Sequence, residues 1–521
     1  MATPAGLYAR LAGFRRTLVG DAVRFLDRQV LHLSTESSPS STSSAKKQRD
    51  TLGRRMLSLV YPKRSAVIAL RQWIEEGRTA RKYELNRIVR ELRKHKRFKH
   101  ALEICEWMTL QQDIKLLPGD YAVHLDLIAK VRGLTSAHKF FEDLPQKMKE
   151  KSTYTSLLHV YVQSKLSTKA EALMEKMLEL GIAKNPLPYN HILNMYIANG
   201  KLDKVPLVMQ QLKKNTVPDL FTYNLMLSAC AISKDVKGAE KVLLELNERM
   251  GNGDWVTYST LSNIYINAGL VEKTRNALKE MELRISCQER SAYCSLMTLY
   301  ASVSSKDDVC RIWRNMKLTF RKMSDFEYSC MLSSLTKLDD IEGAESICAE
   351  WESVSPTNDA RIPNILLGAY VRKSMLEKAE SFHEHMLQHG IKPSYTTWEL
   401  LALASLKKMD TDKALDALQK AISSVTKWTP NEEIIQLVFE NVETLGDIEG
   451  VEKFLVILRG SGYVTTAVYN SLLRTYAKAG KMPLLIIERM KKDNVKIEEE
   501  TKKLLKMTSK LPVGKVSSTI L

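Results

Sequence analysis

The feature that most narrows what this chain can become is a spacing. Tyr154, Tyr189, Tyr223, Tyr258, Tyr293 and Tyr328 stand 34 or 35 residues apart, and similar apolar positions follow each of them. The stretch from Leu220 to Asp254 shows the pattern most fully. Its first half places Tyr223, Met226, Leu227 and Cys230 at i, i+3, i+4 and i+7, and its second half does the same with Ala239, Val242, Leu243 and Leu246. Both halves predict amphipathic helices, joined by a turn around Ser233 to Lys237. One helical hairpin cannot bury two apolar faces by itself, so similar hairpins must stack against it. The chain supplies them, with further units at Lys151, Pro186, Asp325, Ala360, Tyr395, Asn431 and Thr466. The predicted fold is all-α: an α-solenoid of about 11–12 helix-turn-helix repeats of ~35 residues.

A solenoid grows by addition, so 521 residues do not require several globular domains. The seven cysteines are scattered with no CxxC pair, which argues against a disulfide framework or a zinc site and for a reducing compartment. No uninterrupted apolar run approaches the ~18 residues that would cross a bilayer. The formal charge of +18 is unevenly placed. Ala45 to His100 holds eighteen Lys/Arg against five Asp/Glu, and Met1 to Ser44 holds five Arg and three acids. Everything after His100 is therefore left with only about +3. A basic field at one end fits a phosphate backbone.

Four regions follow. Residues 1–49 set Arg10, Arg15, Arg16, Arg24 and Arg28 among Leu7, Leu11, Phe14 and Leu18 ahead of the Ser-rich tract Ser34 to Ser44. This reads as an organelle transit peptide, with a disordered Ser-rich leader as the alternative, and for the mitochondrion rather than the chloroplast because it is Arg-rich and helix-patterned from its start. Residues 50–120 form a basic N-terminal cap and first repeat, with Arg87, Arg90, Arg93 and Lys94 on its polar faces. Residues 121–498 are the repeat array, interrupted at Pro145 and shortened near Pro483. Residues 499–521 are a C-terminal capping helix and tail.

The units VTYSTLSNIYINAG (Val256 to Gly269), FTYNLML, GAEKVLLEL and KAEALMEKMLELGI resemble the plant-type pentatricopeptide repeat, over about 440 residues. Glu84 to Met108 is similar to the opening of P-class members from plant organelles. Tetratricopeptide repeats have a nearby period, but their W-x2-L-G-x2-Y signature is absent. The resemblance implies single-stranded RNA binding at one nucleotide per repeat. The base is read by the fifth residue of the first helix with the last residue before the next unit, while the second residue packs on the base face. In this chain the implied pairs are Thr155 with Asn185, Asn190 with Asp219, Asn224 with Asp254, Ser259 with Glu289, Cys294 with Ser324, Ser329 with Asp359, and Asn364 with Ser394. The family's rules give A, U, U, two unread positions, G and C from 5′ to 3′. Glu399 with Pro430, Ile435 with Thr465 and Asn470 with Glu498 depart from its combinations. Leu187, Phe221, Val256 and Phe326 hold the stacking position; Ser152, Ser291, Arg361 and Thr396 hold it with poorer surfaces. Lys337, Arg372 and Lys407 recur near the end of the first helix, where a cation meets a phosphate. The small polar row is expected to stand open along one wall.

Catalytic and cofactor patterns are absent. In HEHMLQH, His385 and His389 are four apart with His383 nearby, but the sequence is not HExxH and no carboxylate or thiol completes the spacing, so it reads as a solvated helix end. No phosphate loop or zinc-deaminase motif is present. No enzyme, cofactor or metal is expected. The expected function is organellar single-stranded RNA binding in the stability, processing or translation of a transcript. Two alternatives remain open: a structural component of the organellar ribosome held on rRNA and ribosomal proteins, and a protein scaffold of tetratricopeptide type.

Overall fold

The computed structural model describes residues 51–513 except 62, 355–357, 427 and 430. The Arg-bearing leader, the Ser-rich tract and the last eight residues lie outside the described residues, as does Pro430. Among those described there are 27 α-helices, alternating as first and second helices of successive hairpins, and the one strand-like pairing is an isolated bridge from Met482 to Val513. No described helix is long and apolar enough to cross a membrane.

The contacts divide the chain into two units, residues 1–270 and 271–521. The first contains the hairpins Lys82–Lys94 with Phe98–Leu110, Lys151–Gln163 with Ser167–Glu179, Pro186–Ala198 with Val205–Asn215, and Leu220–Ser233 with Val236–Met250. The second contains Asp325–Lys337 with Ile341–Val354, Pro363–Arg372 with Leu376–Gln388, Tyr395–Lys407 with Thr411–Ser423, and Thr466–Lys478 with the short Ile486–Lys492. The last helix, Glu499–Thr508, packs on Thr466–Lys478.

Within each unit, first helices pack on first helices: Pro186–Ala198 on Leu220–Ser233, and Pro363–Arg372 on Tyr395–Lys407. A first helix is therefore enclosed on several sides. Pro186–Ala198 buries Tyr189, Asn190, His191, Ile192, Leu193, Met195, Tyr196 and Ile197. A second helix buries only a stripe: Val236–Met250 encloses Ala239 and Leu246 fully and leaves Val242 and Leu243 half-buried. This asymmetry puts polar residues of the first helices inside the fold, where each needs a hydrogen-bond partner. Several buried tyrosine hydroxyls find carboxylates on second helices, as Tyr196 does with Glu171 at 2.8 Å and Tyr370 with Glu345 at 2.8 Å.

The turns repeat as faithfully as the helices. Lys96, Lys165, Lys234, Ser304, Asp339, Ser374 and Met409 all take φ between 56 and 61°, and Gly200, Gly446 and Gly480 fill the same place elsewhere. A left-handed residue lets the chain reverse within a few residues. The second helix then starts on a cap, as where Asp235 accepts from the Gly238 N–H at 2.9 Å and Asp340 from Gly343 at 3.2 Å. At Pro145 the helix Leu134–Asp143 has already ended and a 3₁₀ turn, Gln146–Met148, follows.

Candidate nucleic-acid interface

A recurrent polar cluster forms where one hairpin meets the next. Asp219 precedes the helix Leu220–Ser233 and caps it, its Oδ1 accepting from the Thr222 N–H at 2.8 Å. The same Oδ1 accepts from Nδ2 of Asn190, on the preceding first helix, at 3.1 Å. Thr222 Oγ1 donates to Asn190 Oδ1 at 2.8 Å. One hairpin later Asn224 Nδ2 donates to Asp254 Oδ1 at 3.2 Å and Thr257 Oγ1 to Asn224 Oδ1 at 2.7 Å. In the second unit Asn364 Nδ2 donates to Ser394 Oγ at 3.1 Å and Thr397 Oγ1 to Asn364 Oδ1 at 2.9 Å. A carboxylate only accepts, so at Asp219 and Asp254 the amide can face one way only. Their Oδ2 atoms make no hydrogen bond among the described residues, and both aspartates are half-exposed.

Three of the expected pairs are thus brought together, but the row does not stand open. Asn190 and Asn224 are each 2% exposed, and Asn364 is also buried. The amide lies at the joint between hairpins, where packing of first helix on first helix closes over it; the half-exposed member is the capping residue. Two other pairs are not joined. Thr155 is buried and turns its hydroxyl back to the Lys151 carbonyl at 2.7 Å, while Asn185 Oδ1 is buried without a partner. Ser329 is not joined to Asp359, which accepts from the Arg361 backbone N–H at 3.0 Å and from its Nε at 2.7 Å. The Arg361 guanidinium holds the Asp359 carboxyl below the usual carboxylate range.

The threonines are what motif reading missed. Thr222, Thr257, Thr397 and Thr501 are each fully buried at the third helical position. Their recurrence just ahead of an aromatic at 222, 257 and 397 was the available signal. Thr501 also revises the last pair: its Oγ1 donates to Asn470 Oδ1 at 2.7 Å, while Asn470 Nδ2 reaches Glu500, not Glu498, at 3.3 Å. At the basic end Asn86 Nδ2 donates to Asp120 Oδ1 at 3.0 Å, an asparagine-to-aspartate bond made here to the third helical position and not to the cap, and Tyr83 holds the second position of the first repeat at 77% exposure.

Of the expected stacking residues, Phe326 is 60% exposed, Leu187 is half-buried, and Phe221 and Val256 are buried in the joints. Arg87 and Arg90 project to solvent, and Lys94 lies 3.4 Å from Glu91. Arg93 is engaged elsewhere: its Nη2 donates to the buried carboxylate of Asp126 at 2.8 Å, which Lys130 also reaches at 2.9 Å. It therefore fixes one hairpin to the next. Lys337 donates to Ser302 Oγ and Lys407 to the Val371 carbonyl, both reaching back to the preceding hairpin. Burial and the neighbouring Arg372 push the Lys407 ammonium below its ordinary range. A cleft of about 240 Å³ lies beside the Asn86–Asp120 pair, lined also by Arg90, Tyr121 and His124. Burial, and then Arg132, lower His124 to a pKa of about 4.

The histidines of HEHMLQH do not stand alone as their spacing implies. The preceding hairpin brings Glu352 beside His385 and His389, with one donor atom from each residue within 4.8 Å of the others. The missing carboxylate comes from 33 residues away in sequence.

A model of the pentatricopeptide repeat domain matches residues 150–199 and 172–233, and one of the single PPR repeat matches 221–249, 256–284 and 362–391. A mitochondrial pentatricopeptide repeat-containing protein of Arabidopsis thaliana is 56% identical over 472 residues, covering 91% of this chain and 89% of its own. Large ribosomal subunit protein mL101 of the same plant is 35% identical over 443 residues, covering 84% of this chain and 90% of its own. The crystal structure of PPR10 from maize aligns over 98% of this chain and 79% of its own, with 20% identity and a TM-score of 0.42. On the extent and identity of these sequence matches, the chain belongs to the pentatricopeptide repeat family.

Proposed function

We propose that this protein binds single-stranded RNA in the mitochondrion and acts on a transcript by holding it, without catalysing a reaction. The observation that carries this reading is the Asn–Asp–Thr cluster, placed identically in successive hairpins. Each aspartate spends one oxygen on the cap and presents the other, a lone acceptor suited to the imino N–H of uracil or guanine. The asparagine orients that carboxylate more than it contacts the base, since its own side chain is enclosed. The basic first repeat, with Arg87, Arg90 and the exposed Tyr83, supplies phosphate attraction and a stacking surface at one end. The mitochondrial assignment is supported by the 56%-identical relative, a mitochondrial pentatricopeptide repeat-containing protein.

A second reading is supported by two observations: charge concentrated before residue 100, and likeness to a ribosomal subunit protein. On it, the basic hairpin docks on rRNA within the large organellar subunit. Crosslinking in the organelle followed by sequencing of bound RNA separates the two. One transcript with uracil enriched opposite the Asn190 and Asn224 hairpins supports the first; rRNA with co-sedimentation in the large subunit supports the second. Recovery of no RNA overturns both.

A further inference from the structure

We propose that Glu352, His385 and His389 form a site for a late first-row divalent cation, Zn²⁺ foremost, which ties the second helix of one hairpin to the second helix of the next. His385 and His389 lie one turn apart at the end of Leu376–Gln388, with ring centroids 4.1 Å apart. Glu352 comes from Ile341–Val354, and its Oε1 lies 3.7 Å from His385 Nδ1. That separation is too long for a hydrogen bond, and both atoms are buried with no hydrogen-bond partner. With its hydrogen on Nε2, His385 presents a lone pair at Nδ1, and two unsatisfied atoms with lone pairs across a small gap are what a shared cation satisfies.

The third ligand is prepared in the same way. His389 Nδ1 lies 2.9 Å from the His385 carbonyl oxygen. A carbonyl only accepts, so Nδ1 carries the hydrogen and the lone pair sits on Nε2. Metal-binding histidines are commonly oriented by such a bond. Bonds of about 2.0–2.2 Å in tetrahedral geometry place zinc ligands about 3.3 Å apart, so the Glu352–His385 gap closes by a few tenths of an ångström on binding. Two imidazoles and one carboxylate favour Zn²⁺, Cu²⁺, Ni²⁺ or Co²⁺ over Mg²⁺ and Ca²⁺. His389 is exposed, which leaves a fourth position for water. The site stands on the second helices, so it depends on no part of the RNA reading.

The test titrates the full chain, first stripped with a chelator, with Zn²⁺ and separately with Mg²⁺, following heat of binding and thermal midpoint. One equivalent of Zn²⁺ is expected to bind and raise the midpoint, with no effect of Mg²⁺. Glu352→Gln, His385→Gln and His389→Gln should each weaken binding by roughly 10–100-fold or more, at least the cost of losing an outer-shell partner. His383→Gln, whose ring packs on Trp398 at 5.4 Å, should leave binding unchanged. A Zn²⁺ isotherm identical in Glu352→Gln and the unaltered chain, or the absence of saturable binding, overturns the proposal. Should Glu352→Gln fail to fold, the solvent-facing His389→Gln decides it.

Discussion

At the residue scale, the amide and hydroxyl buried at each hairpin joint are the sensitive points, because a lone buried polar atom costs more than the bond it loses. Thr257→Val keeps the shape and leaves Asn224 Oδ1 without its donor. We expect a loss of roughly 1–3 kcal/mol in urea unfolding, where an exposed threonine would lose almost nothing. Asn224→Ala should lose similar stability, and RNA selected by the variant should lose its preference at one position only. Asp126 gives the pH dependence. Burial pushes its carboxyl up, but Lys130 and Arg93 outweigh that and hold it below the ordinary carboxylate range. Its contribution is therefore present above the unfolded value of about 3.9 and is lost as pH falls through the lower folded value. Acid unfolding should show this step, and Asp126→Asn should remove it.

At the element scale, the turn and the basic helix make separate predictions. Lys234 holds a left-handed conformation at φ 57° that costs a non-glycine residue energy. Lys234→Gly should raise stability by up to about 1 kcal/mol, the part not offset by glycine's freedom in the unfolded chain, as read by thermal midpoint. In Lys82–Lys94, Arg87 and Arg90 face solvent while Arg93 is bound to Asp126. Changing Arg87 and Arg90 to Gln should weaken binding to any RNA and flatten its salt slope by about 0.7 each, without altering the fold. Arg93→Gln should instead lower stability by roughly 1–3 kcal/mol and leave the salt slope unchanged.

At the scale of the whole molecule, each hairpin is held by its neighbours, so an end without a cap is exposed apolar surface. Glu499–Thr508 covers Thr466–Lys478, where Leu472 and Leu473 are fully buried, and supplies Thr501 to Asn470. A chain ending at residue 498 should show faster hydrogen exchange in its last hairpin and aggregate at lower temperature. The first unit, which shares none of those contacts, should exchange as before.

Helices, turns and the 35-residue period were legible in the sequence because apolar spacing along a chain directly reports which face of a helix is buried. Tyr223, Leu227, Ala239 and Leu246 are buried as their spacing implies. The partners of Asn190, Asn224 and Asn364 were half-legible: their capping residues follow from the repeat, but the threonines that close over the amides do not. The ion pair of Arg93 was not legible, since nothing near it in sequence shows that Asp126 waits 33 residues on. By itself, then, the sequence determined the hairpins, their number to within one or two, and the family. Only the tertiary structure decided which polar atoms of successive hairpins meet, and so enclosed the asparagines, joined Arg93 to Asp126 and carried Glu352 to His385 and His389. The physical reason is that burial is encoded locally, by periodicity, whereas a hydrogen bond or ligand set across a joint depends on how two packed helices are positioned to within an ångström.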